Sequence, residues 1–273
     1  MNPLLGRLHP YPFERWRGLT AGITPNPALR AISLGIGEPR HATPALVEQA
    51  LVGAIEAKSL SQYPPTAGSP ALRQACADWL GRRYGITVDA ATQLLPVGGS
   101  REALFAIAQT VVDASQPGAT VVCPNPFYQI YEGAALLAGA QVAFANSDPA
   151  RNFAANWGQI SADTWARTQL LYVCSPGNPT GAVMPLAEWE TLFKLSDEHG
   201  FVIASDECYS EIYFRDEPPL GALEAAAQLG RSDFKNLIAF TSLSKRSNVP
   251  GLRAGFVAGD AALIKHFLLY RTY

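Results

Sequence analysis

The 273-residue sequence has no long apolar run. No stretch approaches the roughly 20 consecutive apolar residues that a membrane-crossing helix requires. The opening MNPLLGRLHP lacks the apolar centre of an export signal. Lacking both, the chain is expected in the cytoplasm. Cysteine is scarce: Cys76, Cys123, Cys174 and Cys208 are widely spaced, with no CxxC pair. Cys123, Cys174 and Cys208 end apolar, strand-like runs, which reads as buried free thiols in a reducing compartment. His9, His41, His199 and His266 are scattered, so no zinc site is expected. Neither sign of charge dominates, with 21 Lys and Arg against 23 Asp and Glu. That balance, and the lack of a basic stretch or helix-turn-helix pattern, argues against nucleic acid or a membrane surface as partner. Repeats and low-complexity tracts are also missing.

What is present is an ordinary globular composition, 48% hydrophobic and 16% charged, sufficient for a sizeable core. The first forty residues are broken by proline and glycine and read as an arm that packs across something else. Thr43-Pro44 is a helix start, Thr at the N-cap and Pro at the first turn, followed by helical spacing from Leu46 to Ile55. Ser69-Pro70 starts a second helix through Leu72, Cys76, Trp79 and Leu80. From there the pattern alternates. Strands are expected over 93–97, 119–123, 141–145, 169–173, 201–205, 236–241 and 253–258. Helices are expected over 102–112, 127–137, 186–198 and from 261 onward. Short apolar strands alternating with helices give an α/β fold, a mostly parallel seven-stranded type of sheet with helices on both faces. The polar motifs fall at the carboxyl ends of the strands, where open α/β sheets bind ligands. The sequence ends at Tyr273 inside an apolar helical pattern, so a C-terminally shortened piece of a longer protein is expected.

The motifs gain meaning jointly. Lys245 in Ser242-Leu-Ser244-Lys245 follows a β-rich run, with Arg253 eight residues on. Lysine forms covalent adducts with carbonyl groups, and serine hydroxyls with arginine suit a phosphate. That pairing points to pyridoxal phosphate, although taken alone the loop reads more readily as a solvated basic turn. Gly98-Gly99-Ser100-Arg101 lies at a strand-to-helix junction, which suits either a phosphate at a helix N-terminus or a plain capped turn. Asn125-Pro-Phe127-Tyr128-Gln-Ile-Tyr131 puts aromatics after a strand, fit to face a planar ring or to fill the core. Ser175-Pro-Gly-Asn178-Pro-Thr-Gly181 is a rigid turn that sets an amide at a strand end. Asp206 ends the run FVIAS. A carboxylate there is costly unless paired, and either a protonated pyridine nitrogen or a helix N-cap would answer it.

Together, in this order, these motifs resemble the class I/II aminotransferases, the fold-type I pyridoxal-phosphate enzymes, over residues 34–273. The resemblance implies that the cofactor is pyridoxal phosphate and that Lys245 attaches its aldehyde. Asp206 would pair with the pyridine nitrogen, and Tyr209 and Asn178 would bond the ring 3-oxygen. Tyr128 would stack on the ring. Gly99, Ser100, Arg101, Ser242, Ser244 and Arg253 would hold the phosphate, Arg101 standing where the family often has a small polar residue or Gln. Tyr63 in QYPPTAG would reach the phosphate of a partner subunit, implying a homodimer. Gly37 in LGIGEP would contact the substrate carboxylate through its backbone. Residues 1–42 would be an arm and part of the small domain, and 43–273 the large cofactor-binding domain. The rest of the small domain, with its carboxylate-clamping arginine, is expected to lie beyond Tyr273. Substrates would be small amino and keto acids. HPYPFERW, PFYQIYEGAALLAGA, KRSNVPGLRAGFVAGD and LLYRTY resemble the bacterial N-succinyldiaminopimelate aminotransferases of lysine biosynthesis. Aspartate, aromatic or kynurenine-type aminotransferases, a β-lyase, and an inert cofactor-binding fragment remain as alternatives.

Overall fold

The computed structural model describes residues 1–57 and 61–273. After an exposed N-terminal turn come α1 (Pro12–Thr20), α2 (Ala45–Glu56) and α3 (Pro70–Tyr84). The sheet then begins: β1 (Leu94–Val97), α4 (Ser100–Val111), β2 (Thr120–Asn125), α5 (Gln129–Leu137), β3 (Gln141–Asp148) and β4 (Ala154–Ala155). It continues through α6 (Ala162–Arg167), β5 (Thr168–Cys174), α7 (Leu186–His199), β6 (Val202–Asp206) and α8 (Ala222–Gln228). The last elements are β7 (Leu237–Ser242), α9 (Leu243–Arg246), β8 (Gly255–Gly259) and α10 (Ala261–Thr272).

The strand order is β1-β8-β7-β6-β5-β2-β3-β4. β3, β2, β5, β6 and β7 pair in parallel, while β8 runs antiparallel to both neighbours. β1 therefore points the same way as β7, and the mostly parallel α/β sheet is as the alternating pattern requires. It has eight strands rather than seven because the two-residue β4 turns back on the end of β3. Two residues carry no periodic signal, so β4 is invisible in the sequence.

Both faces are covered, and side chains alternate between them along each strand. In β5, Leu171 and Val173 pack with Trp189, Phe193 and Phe201, whereas Leu170 and Tyr172 pack with Leu104, Ile107 and Tyr131. Ser69 caps α3 as expected, accepting from Leu72 N at 3.2 Å. Thr43 does not cap α2: the helix starts at Ala45 with Pro44 at its N-cap and no side-chain cap bond. The arm is also more regular than its prolines imply. Pro12 sits in the first turn of α1, where its missing N–H costs nothing. No residue in 1–57 is buried.

A buried carboxylate fastens the loop after β6. Glu207 is 2% exposed. It accepts hydrogen bonds from Tyr84 Oη at 2.9 Å, Ser205 Oγ at 3.1 Å and Ala222 N at 2.7 Å. The end of α3, the end of β6 and the start of α8 thus meet at one group. Arg83 adds an ion pair to Glu211 at 2.7 Å and a bond to Pro219 O at 3.0 Å.

Two stability predictions follow from this packing. A Cβ on Gly255 would lie 2.4 Å from the Thr241 carbonyl oxygen across the β7–β8 pair. Gly255→Ala should cost about 1–3 kcal/mol in urea unfolding, and a neutral result would contradict the close approach. Burial pushes the Glu207 carboxyl from its ordinary 4.5 up to about 6. An acid raised on folding weakens stability as pH climbs from its unfolded value to its folded one, and the cost persists above that window. Its size is about 2 kcal/mol. The stability deficit of Glu207→Gln should therefore shrink by about that amount between pH 4.5 and 7.5. An equal deficit at both pH values would show that Glu207 does not ionise in a buried setting.

Candidate active site

β6 delivers Asp206 to the carboxyl end of the sheet with only 4% exposure. Its Oδ2 accepts from Tyr131 Oη at 2.6 Å, and its Oδ1 accepts from the Cys208 backbone N–H at 3.2 Å. Burial raises the carboxyl above its ordinary range, and the two hydrogen bonds only partly offset this. Tyr131 is itself fixed. Its ring stacks on Tyr172 at 4.6 Å and 13°, and Tyr172 Oη donates to Leu104 O at 2.6 Å. Tyr128 meets Tyr131 edge-on at 5.9 Å. Tyr131 belongs to the aromatic motif read from the sequence but is assigned no role there. Its spacing of three from Tyr128 places it inward, on the first turn of α5.

A second cluster lies at the N-terminus of α4. Gly99 is its N-cap, with φ 99°, and offers no side chain. The first amides of a helix have no partner within it and concentrate positive potential. Arg253 approaches so closely that a Cβ on Gly99 would lie 2.3 Å from its Nη2. Arg253 Nη1 lies 3.4 Å from Ser244 Oγ, and Nη2 lies 3.5 Å from Glu102. Ser244 is buried, and Ser242 Oγ accepts from its amide at 3.1 Å, capping the turn that carries Lys245. Ser100 Oγ and Cys208 Sγ are 3.0 Å apart, which ties this cluster to the Asp206 loop.

The third cluster surrounds Lys245. Its Nζ donates to the Gly37 carbonyl, bringing the N-terminal segment over the lysine loop. A Cβ on Gly37 would stand 3.7 Å from Tyr209 Oη. Burial, reinforced by nearby acidic groups, pushes the Tyr209 hydroxyl up to about 12. Asn178, Tyr209 and Gly37 line a 960 Å³ cavity together with Tyr213, Phe214 and Arg215.

Contacts therefore link Gly37, Gly99, Ser100, Tyr128, Asp206, Tyr209, Ser244, Lys245 and Arg253, and Asn178 lines a cavity with Gly37 and Tyr209. The Ser242 hydroxyl is engaged in the cap. The Arg101 side chain is exposed at the rim, and Tyr63 stands fully exposed, 101%. Sequence reasoning misses Tyr131, Cys208 and Asn248, whose contacts cross between elements far apart in the chain.

The donor set fits pyridoxal phosphate. A cradle that a Cβ would fill, a guanidinium, a buried hydroxyl and a free helix N-terminus suit a phosphate. A buried carboxylate short of positive charge suits a pyridinium, and an amine suits an aldehyde.

The family described as aminotransferase class I and II matches residues 30–271. An LL-diaminopimelate aminotransferase from Nitratidesulfovibrio vulgaris (strain DSM 19637 / Miyazaki F) is 33% identical over 261 residues, 95% of this chain and 65% of the relative. The chain thus spans just under two thirds of the length of such curated relatives. A crystal structure of an aminotransferase from Neisseria meningitidis Z2491 superposes with TM-score 0.95 at 56% identity, covering 100% of this chain and 69% of that one. The aminotransferase AspB from Helicobacter pylori 26695 gives TM-score 0.89 at 39% identity, covering 97% of this chain and 68% of that one. The chain belongs to the class I and II aminotransferases, whose cofactor is pyridoxal phosphate.

Proposed function

We propose that this chain forms the cofactor-binding part of an aminotransferase that moves an amino group between small amino and keto acids. The observation that carries the reading is the convergence of Asp206, Lys245 and the Arg253–Gly99–Ser244 cradle at one end of the sheet. When bound, pyridoxal phosphate supplies an aldehyde that captures an amine and a ring that accepts electrons. The chain's residues do the rest. Arg253, Ser244, Ser242, Gly99, Ser100 and Arg101 hold the phosphate, the last two through their backbone at the start of α4. Asp206 keeps a negative charge against the ring nitrogen. Tyr131 and the Cys208 amide favour that charged form. Tyr209 and Asn178 donate to the ring 3-oxygen, and Tyr128 covers the ring face. Lys245 would attach the cofactor through its Nζ. When not so engaged, that amine would take the proton from the substrate Cα. The Gly37 backbone meets the substrate carboxylate.

Residues 1–42 act as an arm outside the large domain 43–273; the arm carries no buried side chain, although burial begins only after residue 57. A homodimer is supported by the exposure of Trp16, Leu19, Leu34, Leu46 and Tyr63, with Tyr63 reaching toward the partner's phosphate. Among the described residues no helix is long and apolar enough to cross a membrane, which accords with a cytoplasmic enzyme.

For the substrate, we infer glutamate as amino donor and N-succinyl-2-amino-6-oxopimelate as acceptor, in diaminopimelate and lysine synthesis. The segment likeness noted above supports this. The second reading, direct use of LL-diaminopimelate, is favoured by relatives of that name at 33–34% identity. Loss of the bound cofactor's visible band with glutamate, and its return with the succinylated keto acid, would support the first. A response to LL-diaminopimelate instead would support the second.

Lys245→Ala should bind pyridoxal phosphate without covalent attachment and give no turnover; normal turnover would overturn the assignment. Arg253→Ala removes a charged phosphate donor, so it should weaken cofactor affinity by about 10–100-fold. Unchanged affinity by absorbance titration would remove Arg253 from the cradle.

A further inference from the structure

The segment around Gly37 is tied to the lysine loop twice. Lys245 Nζ donates to Gly37 O. Three residues on, Asn248 Nδ2 donates to His41 O at 2.6 Å and to Ala42 O at 2.7 Å. The segment has little else to hold it. Among the described residues, the one backbone hydrogen bond within 35–42 runs from Glu38 N to Ile36 O at 3.0 Å, and no side chain there is buried. Asn248 itself sits at φ 55°, a left-handed conformation that Asn tolerates better than most residues. Its Oδ1 is buried with no hydrogen-bond partner among the described residues. The useful end of this amide is therefore its pair of N–H groups, one for each carbonyl.

We propose that Asn248 is a positioning residue for the substrate carboxylate. Its amide clamps 35–42 onto the lysine loop, so that the Gly37 backbone is in place before the amino acid arrives. This rests on the roles given above to Gly37 and Lys245. Fixing a loop residue costs backbone entropy, which a hydrogen bond offsets. An unclamped segment would have to be ordered at the expense of substrate binding, which is the general cost that preorganisation removes. The bonds of Arg253, Ser244 and Asp206 do not reach this segment, and the Asn248 bonds to His41 O and Ala42 O are separate from the one Lys245 makes to Gly37 O, so loss of the clamp should leave the phosphate and ring contacts in place.

Two variants separate the clamp from its backbone. Asn248→Asp keeps the shape and sets a carboxylate against two carbonyls. Asn248→Gly keeps the left-handed turn comfortable and removes the amide. The first readout needs neither cofactor nor turnover: tryptic cleavage after Arg40, beside the clamp, relative to cleavage after Arg30 in the same arm. Both variants should raise that ratio several-fold. The second is kinetic: KM for the amino donor should rise about tenfold while the dissociation constant for pyridoxal phosphate stays within twofold. An unchanged Arg40 to Arg30 ratio overturns the proposal. So does a rise in KM matched by an equal loss of cofactor affinity. If the native chain does not bind pyridoxal phosphate, the functional reading above fails, and the cleavage ratio still decides whether Asn248 is a clamp.

Discussion

A carboxylate with almost no exposure to water, at the end of an internal strand, is the constraint that the rest of this structure accommodates. Two hydrogen bonds do not repay Asp206 for the hydration it loses, and its carboxyl is accordingly raised. A positive group at hydrogen-bond distance would reverse that balance. The protein has invested in keeping the carboxylate fixed. Tyr131 reaches it from α5, and Tyr131 is in turn held by Tyr172 and, through it, by the Leu104 carbonyl at the heart of α4. A planar heteroaromatic cation is a partner this arrangement suits.

The sheet explains why three unlike chemistries meet. β1, β6 and β7 point the same way, so Gly99, Asp206 and the Lys245 turn all emerge at one edge. β8 alone among these neighbours runs back, and it brings Arg253 to its start, beside the N-terminus of α4. The turn into the antiparallel strand therefore supplies a cationic side chain beside the N-terminus of α4. Below this edge the Glu207 cluster locks the loop that follows Asp206. Above it the N-terminal segment closes over Lys245. The loop after Asp206 is tied at several points, whereas the segment over Lys245 is lightly restrained.

Much of this was legible in the sequence because the sheet is regular. Buried parallel strands announce themselves as short apolar runs, and each run ends at a polar motif. The boundaries of β2, β5, β6 and β7 fall within one or two residues of the pattern. The short elements were not legible. β4 has two residues, and α6 and α8 are too brief for a helical period to stand out. Partners that cross the fold were also hidden. Nothing local marks Tyr131 as the donor to Asp206, Glu207 as the acceptor for Tyr84, or Asn248 as the donor to residues some two hundred positions earlier. Such pairs exist only once the strands are in order. The arm was misjudged for a different reason: proline ends a helix from within but begins one well, as Pro12 does in α1.

The central claim is that Lys245 is the residue that captures the cofactor. It is tested most directly by borohydride reduction of the chain mixed with pyridoxal phosphate, followed by peptide mapping. The account predicts a single stoichiometric label on Lys245. A label spread over surface lysines, or concentrated on a lysine other than Lys245, would contradict it.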